Sequence, residues 1–233
     1  MKQYLFLLFA LVTISSCRYT TGSGKLITET RPAGNFDGIS VSGDFEVEVK
    51  IGAVTSVVVE ADDNIMKYIE TTTVGSTFKI YTEGLHNYSD VHMKVYITTP
   101  SLKKVSTSAS ADVMVENTLV STDRLVFKAS SGSGIKTEVD APEVSADASS
   151  GATITLHGKT KAYSADASSG ADIKSWDLLS ENTTVSVSSG ANANVHASIS
   201  LNVQASSGAS VTYHGAAKVT KSGSSGANLN KKD

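Results

Sequence analysis

Two aspartates occupy equivalent positions in a repeated sequence, where they could act as an acid–base pair. Asp147 and Asp166 each stand four residues before the glycine of a Ser-Ser-Gly tripeptide. If the repeats stack as coils, the two carboxylates lie about 4.8 Å apart, near the spacing in a retaining glycosidase. The sequence has no arginine after Arg124, so a lyase-type site in these repeats would depend on lysine alone. We therefore expect two solvated surface aspartates and no catalytic residues, and keep a polysaccharide-active enzyme as the alternative function.

Three histidines share a second repeat position. His157, His196 and His214 each stand six residues after a repeat glycine. His196 and His214 fall on adjacent coils, and two stacked imidazoles could bind a transition metal. The same column supplies no third ligand nearby, because Glu138 lies three coils from His196. The sequence therefore predicts no metal and no cofactor, with His196 and His214 as the candidate ligands if a metal is bound.

A single cysteine follows an apolar N-terminal segment. Residues 4–14 are almost entirely apolar, which is the length of a secretory signal and too short to span a membrane. Cys17, the only cysteine, follows Ile14, Ser15 and Ser16 in an arrangement that resembles a bacterial lipobox. The resemblance implies that 1–17 are a lipoprotein signal peptide and that a lipid on Cys17 anchors the protein to a membrane.

The residues after Cys17 bear on the location of the protein. Residues 18–35 begin with a polar, glycine-containing stretch that predicts a flexible tether. In bacterial lipoproteins, an aspartate directly after the lipidated cysteine favours retention at the inner membrane. Arg18 stands at that position in this chain. We expect an outer-membrane lipoprotein of the cell envelope, and leave open whether it faces the periplasm or the cell surface.

The repeats that position these residues have a period of 18 to 20 residues. Ser-Ser-Gly occurs six times, with steps of 19, 19, 20, 18 and 18 residues between its glycines. A unit this short has no room for a pair of helices, and its apolar residues alternate as in a strand. We expect the six glycines at the corners of successive coils, where a positive φ is needed: Gly132, Gly151, Gly170, Gly190, Gly208 and Gly226.

Alignment of the repeats on glycine places apolar residues in shared columns. Residues at odd offsets from the glycine share one face of an extended chain, and those at even offsets are polar. Three residues after the glycine stand Ile135, Ile154, Ile173, Ala193, Val211 and Leu229. The pattern predicts an all-β fold, a single-stranded parallel β-helix (β-solenoid) with coils of about 18–22 residues in the C-terminal half.

The serine directly before each glycine also has an odd offset. We therefore expect it to point inward, in a ladder of corner hydroxyls. The members of this predicted ladder are Ser131, Ser150, Ser169, Ser189, Ser207 and Ser225.

The N-terminal half shows the same alternation in longer coils. One short helix is predicted at residues 64–69, and residues 106–113 are a degenerate copy of the repeat whose Ser110 lies 22 residues before Gly132. Nothing resembling a linker separates the halves. The sequence therefore predicts one solenoid domain over residues 36–228, followed by a polar tail over 229–233.

Composition narrows the class of partner. The chain has 20 basic and 23 acidic residues, a net charge of −3, which argues against nucleic acid as a partner. It carries 35 serines and 24 threonines, so a stacked fold would display many hydroxyls. With one cysteine, an intrachain disulfide is impossible.

Several stretches in order resemble one known family, the putative auto-transporter adhesin, head GIN domain proteins of Bacteroidota. The resemblance rests on residues 36–49, 57–64 and 96–102 and on the Ser-Gly repeats beyond them. It implies a right-handed parallel β-helix and an adhesin-like role without catalysis. We expect a polar face that binds a glycan or an envelope protein, or alternatively a passive envelope scaffold.

Overall fold

Stacked parallel coils make up most of the chain. The computed structural model describes residues 19–84, 87–223 and 226–232. Strands account for 64% of the protein, and the C-terminal half is a β-solenoid of about six turns. The predicted all-β solenoid is therefore confirmed.

The described residues of the N-terminal half form nine strands and one 3₁₀ turn, Met66–Tyr68, which lies within the segment predicted as a short helix. The strands are β1 (Tyr19–Thr21), β2 (Leu26–Thr30), β3 (Gly38–Ser42), β4 (Glu46–Ile51), β5 (Ser56–Asp62), β6 (Ile69–Val74), β7 (Thr77–Thr82), β8 (Asn87–Ser89) and β9 (Met93–Thr99).

The remaining strands all pair in parallel, coil upon coil. They are β10 (Lys104–Ser108), β11 (Asp112–Val115), β12 (Leu119–Val120), β13 (Leu125–Ala129), β14 (Gly134–Ala148), β15 (Thr153–Ala167), β16 (Asp172–Ser175), β17 (Leu178–Val187), β18 (Asn192–His196), β19 (Ser200–Ala205), β20 (Ser210–His214), β21 (Lys218–Gly223) and β22 (Asn228–Lys231).

The predicted columns are present in register. Ile154 pairs with Ile135 on one side and with Ile173 on the other, and the column continues to Val211 and Leu229. Ile154 and Ile173 are completely buried. Each such isoleucine contributes roughly 1.5–3 kcal/mol through its burial, so the alternation fixes both the inward face and the register.

The corner serines do not point inward as predicted. In the turn 149–152, Ser150 has φ +52° and Gly151 has φ +73°, and the amide of Ala152 donates to the Ser149 carbonyl at 3.2 Å. Two successive left-handed residues swing both side-chain positions outward, so the strand alternation does not continue through the turn. The exposed serines in this conformation are Ser131, Ser150, Ser169, Ser189 and Ser207; Ser225 lies outside the described residues.

These turns are joined from coil to coil by the backbone. The amide of Gly132 donates to the Ser150 carbonyl at 3.0 Å, and the amide of Gly151 donates to the Ser169 carbonyl at 3.1 Å. A left-handed L-residue costs about 1–2 kcal/mol, which such inter-coil hydrogen bonds help to offset. The degenerate copy keeps this geometry without glycine, since Ala109 and Ser110 have φ +53° and +68°.

Within residues 36–228, predicted as one solenoid domain, the N-terminal half also contains antiparallel strands. Strand β3 lies between β7 and β10, and β4 lies between β9 and β11, so the first coil is not at the end of the stack. Strand β5 pairs antiparallel with β9, and β6 pairs antiparallel with β7. Strand β2 in turn pairs antiparallel with β5, so these three strands lie beyond β7 and β9 at the N-terminal end of the stack. Covering strands of this kind leave less open edge for association with other chains.

The predicted flexible tether over 18–35 is instead partly ordered. Strand β1 pairs with β8, and β2 pairs with β5. The buried carboxylate of Asp62 accepts hydrogen bonds from the amides of Gly24 at 2.7 Å and His92 at 2.8 Å. This carboxylate therefore holds the N-terminal segment against the solenoid.

The C-terminal end differs from the predicted polar tail over 229–233. Leu229 to Lys231 belong to β22 and form the last described rung. Lys221 occupies an inward-facing column position next to Val203 but is exposed, because no other described strand pairs with β21 beyond β19. A lysine at this position opposes the addition of another strand.

Candidate ligand-binding groove

The long coils have a third side between their two main strand faces. It is formed by β12, by residues 139–143 of β14, 158–162 of β15 and 178–182 of β17. Within it Val120, Asp140, Lys159 and Leu179 are successive partners in one outward column. We call this surface the third side.

The third side shortens abruptly after β17. Ser175 pairs with Val195, and Asn182 pairs with Ser200, so six residues in one coil face four in the next. The His196 carbonyl lies at this step and accepts hydrogen bonds from the hydroxyls of Thr183, at 2.8 Å, and Ser180. The step exposes Leu179, whose relative accessibility is 57%.

An open groove of about 860 Å³ runs along the third side to this step. We call it the third-side groove; it is lined by residues 121–122, 140–142, 159–161 and 179–181, with His196 and Ser198 at its end. The groove thus receives residues from five successive coils. Since coils are about 4.8 Å apart, its floor is about 19 Å long.

The groove carries balanced charge together with exposed apolar side chains. Lys159 forms an ion pair with Asp140 at 3.1 Å. Among the described residues, Lys161 and Glu181 have no ion-pair partner within 4 Å, so both can still bond to a ligand. Together with Leu179, these groups give a largely apolar surface whose formal charges cancel.

The predicted carboxylate pair is present but is not assembled for catalysis. Asp147 and Asp166 are direct partners on adjacent coils, as expected. Asp147 lies 3.4 Å from the ammonium of Lys128, and Asp166 accepts a hydrogen bond from Ser164 at 3.2 Å. Both side chains stand on an open polar face, away from the third-side groove. The geometry gives the enzymatic alternative no support.

The candidate metal ligands His196 and His214 are paired on adjacent strands, but their side chains have different surroundings. His196 and His214 are Cα partners, and His196 contributes to the end of the third-side groove. The ring of His214 packs against Trp176, with centroids 4.3 Å apart, and the Lys232 ammonium lies over Trp176. No cluster of three or more His, Cys, Asp or Glu suited to a metal occurs in the described part of the chain.

A charged network covers another face of the N-terminal coils. The Lys94 ammonium lies 2.7 Å from Glu48 and 3.0 Å from Glu46, and these hydrogen bonds raise the pKa of Lys94. Desolvation, followed by the negative charge of Glu46, raises the pKa of Asp112. Lys94 compensates much of the acidic charge here, which makes this face a solvated ion network.

Cys17 and the predicted signal peptide over 1–17 lie outside the described residues. Within the described ranges, no helix has the length and apolar character needed to cross a membrane.

Sequence reasoning missed the third-side groove. Apart from His196, six residues after its glycine, the sequence analysis concentrated on columns closer to each glycine, whereas the central part of the groove (140–142, 159–161 and 179–181) lies eight to eleven residues beyond it. The available signal was the change in repeat length from 20 to 18 residues, which coincides with the step at Leu179.

Solved structures with the same architecture come from Bacteroidales. A putative adhesin from Bacteroides fragilis shares 18% identity with a TM-score of 0.83, covering 91% of this chain and 100% of the other. A putative lipid binding protein from Parabacteroides distasonis shares 17% identity with a TM-score of 0.70, covering 93% and 100%. A putative adhesin from Parabacteroides merdae shares 13% identity with a TM-score of 0.72, covering 92% and 99%. At these identities the likeness establishes a common fold.

The comparison with curated proteins gave no match. The family model described as putative auto-transporter adhesin, head GIN domain matches residues 35–217, which is most of the chain and nearly all of the solenoid. The protein belongs to the putative auto-transporter adhesin, head GIN domain family.

Proposed function

We propose that the protein is a lipid-anchored, non-catalytic binding protein of the cell envelope, whose solenoid holds an external glycan or protein ligand in the third-side groove. The observation that carries this proposal is the groove itself, a surface of balanced charge with an exposed Leu179. Exposed apolar surface bordered by polar groups is typical of interaction sites.

Rigidity supports a binding role. Every coil that contributes to the groove floor is hydrogen-bonded to its neighbours, and the inward residues of these coils are almost all buried. A preformed surface loses little conformational entropy when a ligand binds. Repetitive solenoid surfaces suit extended ligands.

The anchor is the second part of the proposal. A lipid on Cys17 would place the protein on the outer membrane as a lipoprotein, with the solenoid displayed beyond the N-terminal segment. Family membership is consistent with a cell-envelope location.

The test uses cells that carry the full chain, the Cys17→Ala variant or the Leu179→Asp variant. We expect wild-type cells to bind mucin- or matrix-coated surfaces and to lose the solenoid to added protease. Cys17→Ala should remove both properties, whereas Leu179→Asp should remove binding and leave display unchanged. Val54→Asp is the matched control, because it alters a side chain of similar exposure (74%) outside the groove. Equal adhesion by all four strains would overturn the proposal.

A further inference from the structure

We infer that the third-side groove takes a neutral oligosaccharide chain, laid along the solenoid axis across five coils. This inference rests on the proposed function and names the chemical class of its ligand.

The backbone of the groove floor leaves side chains to recognise the ligand. Strand β15 pairs with β14 on one side and with β17 on the other along the third side. Its amides and carbonyls are therefore committed to the ladder, and a peptide cannot join the middle of the floor by strand addition. The ligand must be bound through side-chain hydrogen bonds and surface contact.

The short hydroxyl side chains of the floor are also largely committed. Thr160 donates to the Ala162 carbonyl at 3.1 Å, and Ser198 donates to the Ser180 carbonyl at 3.2 Å. Ser121 accepts a hydrogen bond from the amide of Asp123. Specific recognition therefore falls to the charged side chains that project above this floor.

Those charged side chains favour a ligand that is rich in hydroxyls and carries no net charge. Two carboxylates, Asp140 and Glu181, are balanced by two ammonium groups, Lys159 and Lys161. A polyanion would gain no net attraction from this arrangement, since the charges cancel over the length of the groove. A hydroxyl group can donate to the carboxylates and accept from the ammoniums, so it uses both kinds of partner.

The apolar part of the groove fits the carbon-bearing faces of sugar rings. Leu179 and Pro142 present exposed apolar surface beside the charged groups. An acyl chain would desolvate those charges without supplying hydrogen bonds, at a large cost in free energy. The 19 Å floor extends beyond a single ring, so the inference specifies a chain of sugars rather than a monosaccharide.

Trp176 fluorescence serves as a label-free probe of binding. It is the only tryptophan, and it lies three residues before Leu179 in the coil that forms the step. The mature chain is titrated with four neutral polysaccharides (amylose, mannan, galactan and xylan), two anionic ones (heparin and polygalacturonate) and phosphatidylcholine vesicles. Co-sedimentation with the insoluble forms provides an independent measurement.

We expect saturable binding to at least one neutral polysaccharide, weakened at least tenfold by Leu179→Asp and by Lys161→Ala. Val54→Asp should bind like the wild type. Lys161 is exposed, so its variant keeps the fold even if Leu179→Asp does not, and melting curves verify both.

Binding confined to the anionic polymers or to vesicles would overturn the inference, as would binding that neither groove variant changes or no binding at all. Failure here is separable from failure of the proposed function. Cells whose adhesion is abolished by Leu179→Asp, while purified protein ignores every neutral polysaccharide, would refute the ligand class alone. Cells that adhere equally with Leu179→Asp would refute the groove as the binding surface.

Discussion

The stacking of the coils can be tested at two positive-φ glycines, one with open space around it and one against the backbone of the next coil. Gly151 has φ +73°, and a Cβ added there would meet nothing within 4 Å. Gly158 has φ +104°, and a Cβ added there would collide with the Val139 carbonyl oxygen. The same Cβ would lie only 2.9 Å from the Val139 nitrogen and 3.0 Å from the Val139 carbonyl carbon. Because Val139 and Gly158 are paired rungs of the solenoid, the neighbouring backbone cannot move aside cheaply.

The magnitudes follow from these surroundings. Gly151→Ala should cost about 1–2 kcal/mol, the penalty for an L-residue in a left-handed conformation. Gly158→Ala adds a backbone collision and a less favourable φ, and should cost about 4 kcal/mol or more, in the range of severe backbone strain. For a domain of this size, 1 kcal/mol shifts the melting temperature by about 2–4 °C.

The assay is thermal unfolding followed by circular dichroism, with Trp176 fluorescence as a second probe. We expect Gly151→Ala to melt a few degrees below wild type, and Gly158→Ala to melt at least about 8 °C below it or to fail to fold. Equal shifts for the two variants would refute the reasoning, since the close approach of coil to coil would then be missing.

Three further predictions test the core, the corners and the charged face. Ile154→Ala should cost about 2–5 kcal/mol because a fully buried column member is lost, whereas Lys136→Ala on the outer face should change the denaturant midpoint little. Ser150→Gly should stabilise the protein by about 1 kcal/mol by relieving a left-handed serine; Ser149→Gly at the preceding position should destabilise it, and a loss for both would contradict the turn geometry. Asp112→Asn should stabilise by less than about 1 kcal/mol at neutral pH, since the raised pKa of Asp112 means that its charged form costs stability in the folded state. That gain should be lost as the pH falls below 3.8, the ordinary aspartate pKa, where the wild-type group is protonated whether folded or not; a gain that grows at low pH would show that the sign is wrong.

Much of the solenoid could be predicted because alternate residues of a strand point to the same face, so the offset from the glycine decides which side chains point inward. Strand alternation and a period near 19 residues were enough to place Ile135, Ile154 and Ile173 above one another. A one-residue error would have turned the whole apolar set outward, so burial strongly specifies this register.

The predictions failed where the alternation of inward and outward side chains does not determine the structure. Ser150 faces outward because its turn depends on backbone dihedrals, which counting residues cannot supply. The antiparallel strands β2, β5 and β6 carry the same alternation as parallel ones, so the pattern could not reveal their direction.

The groove depends on the difference between neighbouring coils and not on any motif within one coil. Leu179 is an ordinary apolar residue in the sequence, and becomes exposed because the next coil is shorter on the third side. Asp147 and Asp166 were correctly predicted to be adjacent. However, Asp147 forms an ion pair with Lys128, and Asp166 accepts a hydrogen bond from Ser164.

The most direct test of this account asks whether the residues of the groove floor form one column. The sequence contains no cysteine other than Cys17, so in a Cys17→Ala background pairs can be introduced cleanly. Asp140→Cys with Lys159→Cys places thiols on adjacent rungs, within the Cα separation that a disulfide requires. Asp140→Cys with Leu179→Cys places them two rungs apart, about 9.6 Å, which is too far. Under mild oxidation, the account predicts an intramolecular disulfide in the first variant and free thiols in the second; the reverse result, or no disulfide in either, would contradict it.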